Sequence, residues 1–170
     1  MAKAEKAEGL QERHREFVPL VAAIETTEES IGWVEPSALR ISTAGLHESL
    51  AHGLIPHAVG EGRTVFPVLR RLTGNDEVAI TMNRDHQEIG RLTDELERIG
   101  GDIAGSGLDV DQERRLGSLL EDLRRVIQRH FEAEQEACFS ILRAELRPNE
   151  ARDLCRALER ATAEVRVLYE

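Results

Sequence analysis

The stretch IPHAVGEGRTVFPVL, residues 55–69, carries apolar side chains at helical spacing and sets two polar groups, His57 and Glu61, into the same stripe. Positions four apart on an α-helix lie one turn above each other, so this imidazole and carboxylate face one point in the interior. An ionised carboxylate there costs several kcal/mol unless something compensates it, and neither Lys nor Arg stands on the stripe beside the pair. A bound cation would supply the compensation.

The arrangement comes twice. HFEAEQEACFSIL, residues 130–142, aligns with HAVGEGRTVFPVL, residues 57–69, and both read HxxxE, then Phe (Phe139, Phe66), then Leu (Leu142, Leu69). Upstream, HREF beginning at His14 matches HQEI beginning at His86, and His14 precedes His57 by almost the interval that separates His86 from His130. A helix pair has been used twice, each copy offering one His and then a His with a Glu. Four imidazoles (His14, His57, His86, His130) and two carboxylates (Glu61, Glu134) converging inside a helical bundle suit a pair of borderline transition metals, with each Glu able to bridge both ions.

The rest of the chain supports a helical interior. Charged residues make up 32% and aromatics only 4%, a balance that favours aliphatic helix seams over a β-sandwich, so the chain is expected to be all-α. Its 170 residues suit one domain spanning 1–170. Gly32 and Pro36, the TGND of residues 73–76, the GGDIAGSGLD of residues 100–109 and Pro148 divide it into five helical segments. Asp109 and Gln112 have capping-box spacing. Phe17, Val21 and Ile24 follow His14 at helical intervals, Met82, Ile89, Leu92 and Leu96 flank His86, and Leu116, Leu119, Leu123 and Ile127 lead to His130. Four such helices with short connections predict an antiparallel up-down-up-down bundle over about residues 10–146. A short C-terminal helix, about residues 148–169, then covers one end or pairs with a second subunit, which leaves monomer and homodimer both open.

The formal charge of −10, with no basic run free of Asp or Glu, argues against nucleic acid and anionic lipid as partners. The N-terminus has no apolar signal core and no stretch approaches a membrane span, so a cytoplasmic location is expected. Cys138 and Cys155 form no CxxC and read as reduced packing residues.

The pattern H…HxxxE…H…HxxxE, with LIPHAVGEGRTVFPVL and MNRDHQEIGRLTDEL, resembles the hemerythrin-like domain, also called the hemerythrin HHE cation-binding domain, over about residues 10–146. The resemblance implies an antiparallel four-helix bundle around an oxo- or hydroxo-bridged pair of iron ions, with His14, His57, Glu61, His86, His130 and Glu134 as metal ligands. The same donor set also accepts manganese or zinc.

Two departures bear on function. Oxygen-carrying hemerythrins have HxxxH on the third helix and HxxxxD on the fourth, whereas here Gly90 stands four residues after His86 and the fourth helix has HxxxE. Two six-coordinate irons offer about twelve positions, of which a solvent bridge, two bridging carboxylates and four imidazoles fill about ten. A carrier leaves one position for its ligand; here about two remain. The more open centre favours decomposition of peroxide in a catalase-like manner, or handling of nitric oxide or reactive oxygen, by the metal centre itself, with no separate catalytic residue assigned. A non-catalytic module that binds or senses iron, dioxygen or nitric oxide is the alternative, weakened by the lack of a fused output domain. Reversible dioxygen carriage ranks last. Gly53, Gly60 and Gly90, each within about one turn of a candidate ligand, could admit a small molecule or serve close helix packing.

Other polar groups carry less. HESLAH, residues 47–52, has one residue too many for the zinc-protease HExxH, which turns the second His away around the helix. His47 and His52 are therefore expected at the surface, although Pro56 frees the carbonyl of His52 and a kink could turn that ring inward. Glu16 and Glu88, two residues after a ligand-type His, point to solvent. Tyr169 could act at the site only if the tail folded back.

Overall fold

The computed structural model describes residues 14–103 and 107–167. It is an all-α helical bundle with no β-strand among those residues. Helix α1 is Val18–Ser30; α2, Pro36–Ser49, runs through a π-helical turn, Leu50–Leu54, into α3, Ile55–Thr73. Helix α4 is Glu77–Gly101; α5, Val110–Ala133, runs through a second π-helical turn, Glu134–Cys138, into α6, Phe139–Glu145; and α7 is Pro148–Arg166. None of the described helices is long and apolar enough to cross a membrane.

The boundaries follow local chemistry. Pro36 and Pro148 open α2 and α7 at positions where no amide donor is needed. Gly74 ends α3 at φ +71°, a left-handed conformation that costs glycine nothing. At the start of α4 the cap comes from Asn75, whose Oδ1 accepts the Glu77 amide at 3.2 Å, and not from Asp76, which makes no side-chain cap. The capping box opening α5 forms, with the Gln112 amide donating to Asp109 Oδ1 at 2.8 Å and the Asp109 amide to Gln112 Oε1 at 2.9 Å. Ahead of α1, His14 and Arg15 are helical, and the Phe17 amide closes a turn on the His14 carbonyl. Pro19, with no N–H, cannot extend α1 backward onto Arg15.

Both helices that bear an HxxxE carry an inserted residue. In the Leu50–Leu54 turn the Ile55 amide reaches back to the Leu50 carbonyl, just before Pro56 withdraws its own donor. In the second turn the Phe139 amide reaches the Glu134 carbonyl. Such wide turns re-aim the side chains beyond them and recur at functional sites.

The core falls into two apolar layers. Ile24, Leu46, Leu50, Leu54, Leu96, Leu116, Leu120 and Ile127 belong to one; Val65, Phe66, Leu69, Met82, Phe139, Leu142 and Leu158 belong to the other. Between these layers along the chain stand His57 and Glu61 of α3, His86 of α4, His130 of α5 and Glu134 of the second π turn.

The C-terminal helix forms where it is expected, at Pro148–Arg166. It is 19 residues long and packs along α3, burying Ala151, Leu154, Leu158, Ala161, Thr162 and Val165. Gly60 makes that approach possible, because a Cβ there would stand 2.7 Å from Thr162 Oγ1 and 3.3 Å from the Thr162 backbone nitrogen. Of the three glycines near the site, Gly60 thus serves helix packing, Gly53 makes an ordinary contact with Phe17, and only Gly90 borders open space. Cys138 is buried and Cys155 half-buried, and they form no disulfide. Tyr169 lies outside the described residues.

Candidate metal centre

The six ligand-type residues meet in one buried cluster. His14 Nε2 stands 3.1 Å from His57 Nε2 and 3.3 Å from Glu61 Oε1, and His57 Nε2 is 3.0 Å from the same oxygen. Across the cluster, His86 Nε2 lies 3.2 Å from His130 Nε2 and 3.3 Å from the other Glu61 oxygen, Oε2. His14, His57 and Glu61 therefore make one set of donors, and Glu61, His86 and His130 a second, each compact enough to hold a metal ion. Glu134 Oε2 reaches towards both, at 3.1 Å from His14 Nε2 and 3.5 Å from His130 Nε2.

These spacings fit a metal. Donors about 2.1 Å from a cation and at right angles to each other stand about 3.0 Å apart. The donor set also leaves polar atoms unsatisfied: Glu61 Oε2 and both Glu134 oxygens are buried without a hydrogen-bond partner. A buried acceptor without a partner is costly, so a cation between the two sets would satisfy atoms that the protein alone does not.

The two carboxyls divide their protonation. Burial pushes both up. At Glu61 the His57 charge and the close imidazoles of His14, His57 and His86 outweigh burial and hold the group well below the usual carboxylate range. At Glu134 burial and the negative charge of Glu61 act together, so it sits well above that range. Burial, reinforced by the neighbouring His86, pushes His130 down to about 3, leaving a neutral ring near neutral pH. Neutral imidazole is the form that ligates.

All four phenylalanines of the chain wall this cluster. Phe131 and Phe139 lie 5.0 and 5.1 Å from the His14 ring, Phe17 lies 5.3 Å from His57, and Phe66 stacks on His86 at 5.6 Å. They keep water and its dielectric screening away from the donors. Two recesses approach the cluster from the surface. One of about 420 Å³ is lined by His14, Arg15, Val18, Phe131, Glu132 and Gln135. The other, of about 340 Å³, borders His86 between α3 and α4, beside Ala58, Val59 and Ile89. Each donor set thus meets the outside through one histidine: the His14 and His86 side chains are each 10% exposed, against 4% and 2% for His57 and His130.

His47 and His52 take no part. His47 is 4.0 Å from Glu97, and His52 pairs with Glu48 at 3.2 Å one turn before it, so the π turn has not brought His52 inward. Glu16 is exposed, and Glu88 pairs with Arg91 at the surface. Sequence reasoning passed over Phe131, Asp85 and Arg129. Asp85 is buried beside His86 and accepts a hydrogen bond from Arg129, which precedes His130. An acidic and a basic residue in the same place before two ligand-type histidines was the signal.

No curated protein and no solved structure matched the chain. A family model did, the hemerythrin HHE cation binding domain, over residues 6–142, a span that includes all six clustered residues. Family membership and the buried His/Glu cluster together mark a metal-binding module. The chain belongs to the hemerythrin HHE cation binding domain family.

Proposed function

We propose that this chain holds a non-haem pair of iron ions and decomposes peroxide, with nitric oxide and other reactive oxygen species as further reactants. The observation that carries the reading is the sharing of Glu61, one oxygen in each donor set. A carboxylate so placed ties two cations into one unit. In this reading His14, His57 and Glu61 would hold one ion and Glu61, His86 and His130 the other, with Glu134 available to both.

Two redox metal ions supply the electron pair that reduces one peroxide to two waters and that a second peroxide returns on oxidation to dioxygen. The protein's own part is to place and shield. The imidazoles fix the positions, the phenylalanines exclude water, and the recesses beside His14 and His86 give a small oxidant its approach. Gly90 supports turnover over carriage, since no fifth imidazole stands one turn beyond His86.

The burial of the cluster behind four aromatic rings favours a second reading, a module that binds iron, dioxygen or nitric oxide without turnover. Metal content per chain, measured with the near-ultraviolet and visible spectrum, tests the centre first. About two irons with oxo-to-iron charge-transfer bands are expected, followed by dioxygen release on adding peroxide. Metal without dioxygen release selects the binding module; no metal removes both readings.

A further inference from the structure

His130 presents its Nε2 to the cluster, 3.2 Å from His86 Nε2, so its other ring nitrogen faces outward. That Nδ1 is buried and has no hydrogen-bond partner. Opposite it, at 4.0 Å, stands Asp85 Oδ2. The Asp85 side chain is only 9% exposed, and its other oxygen, Oδ1, accepts from Arg129 Nη2 across the α4–α5 seam. One carboxylate oxygen is clamped by a guanidinium, and the second is left towards an orphaned ring nitrogen.

We propose that Asp85 is a positioning residue for His130, accepting its Nδ1–H when Nε2 ligates a metal, and that Arg129 holds the carboxylate in place for that role. The inference rests on the reading of the cluster as a metal centre. Ligation through Nε2 obliges the imidazole to carry its proton on Nδ1, and a closure of about 1 Å turns the 4.0 Å separation into an ordinary hydrogen bond. An outer carboxylate of this kind fixes the tautomer and ring orientation and raises the basicity of the ligand.

The device belongs to one half of the centre. In the pseudo-repeat Arg13 and Pro56 stand where the second copy has Asp85 and Arg129, so the carboxylate and its guanidinium clamp are not repeated there. In this proposal the pair strengthens the hold of the His86/His130 set on its ion and lowers the reduction potential of that ion.

The test is anaerobic titration with ferrous ion of the wild type, Asp85→Asn and Arg129→Leu, read by chelator competition, by the midpoint potential and spectrum of the loaded protein, and by the melting temperature of the metal-free protein. Asp85→Asn keeps an oxygen for Arg129 but turns an amide donor towards His130. It should weaken one of two ferrous equivalents about 10–100-fold, raise the potential and alter the spectrum. Arg129→Leu removes the ion pair and leaves the carboxylate, so it should lower the metal-free melting temperature and weaken that equivalent less. If Asp85→Asn binds both equivalents with wild-type affinity, potential and spectrum, Asp85 is only the α4–α5 partner of Arg129 and the inference falls. If the wild type takes up no ferrous ion, the metal-centre reading falls first and takes the inference with it.

Discussion

Glu134 and Glu61 share one buried cluster with their carboxyls pushed in opposite directions, Glu134 well above the usual carboxylate range and Glu61 well below it. Two carboxylates in one buried site cannot both ionise cheaply, and the three histidines around Glu61 decide which does. A proton at Glu134 would lower the buried charge of the metal-free protein, and a cation held in the cluster would do the same. Charge balance, geometry and the unsatisfied oxygens agree on the same occupant.

Glu134→Ala tests the bridge. The side chain is fully buried and its carboxyl is pushed well above the usual range by that burial, so an uncharged, helix-favouring Ala should leave helical content intact. Metal content should fall sharply, because the group that reaches both His14 and His130 is gone. Retention of two ions per chain, with an unchanged spectrum, would mean that Glu134 is not a ligand.

Loading is also an exchange with protons. As a ligand Glu134, pushed up by burial, would give up a proton when the metal arrives, whereas His130, pushed down to about 3, is already neutral near neutral pH. Uptake should release protons, and affinity should fall as pH falls through the Glu134 value. Calorimetric titration in two buffers of different protonation enthalpy counts the release; none at any pH would show Glu134 to be ionised beforehand. His130 sets a separate slope in the metal-free protein. Its folded value of about 3 lies below the ordinary 6.5, so the folded state binds fewer protons than the unfolded chain between these values. Its contribution therefore lowers stability as pH drops from about 6.5 towards about 3, which melting scans across that window will show.

Much of this site was legible because helical periodicity fixes which residues share a face. His57 with Glu61 and His130 with Glu134 lie four apart, and no packing detail is needed to put each pair on one side. The relations between helices were less so. Asp85 faces His130 only because α4 and α5 adopt one relative register. Thr162 meets Gly60 across a large sequence separation, so the role of α7 as a cover along α3 could not be read from its own amphipathic face. The two π turns insert a residue without any compositional mark beyond Pro56, and the second has no proline within it.

Gly60→Ala measures that cover. The new methyl would sit within 3.0 Å of Leu158 Cδ1 and nearer still to Thr162 Oγ1, with the α7 backbone behind them. Moving a helix to make room should cost about 1–3 kcal/mol, seen as a lower melting temperature. Thr162→Ala removes the nearest of these atoms, so the double variant should recover part of the loss in a double-mutant cycle. Strict additivity would mean that the two positions do not press on each other.

Gly90→His tests whether turnover uses an open position beside His86. Residue 90 lies one turn beyond His86 on α4, and nothing stands within 4 Å of where its Cβ would be, so the backbone has room for a side chain. Replacing a helical glycine should itself add about 0.5 kcal/mol to the stability of the metal-free protein, so a lower melting temperature would reveal a clash. With folding intact, the fifth imidazole should occupy one of about two vacant coordination positions. Metal content should then be retained, the charge-transfer bands should shift, and peroxide consumption should slow at least about tenfold, a barrier change of about 1.4 kcal/mol. Shifted bands with an undiminished rate would show that the new histidine ligates at a position peroxide does not use, and would move the reaction to the recess beside His14.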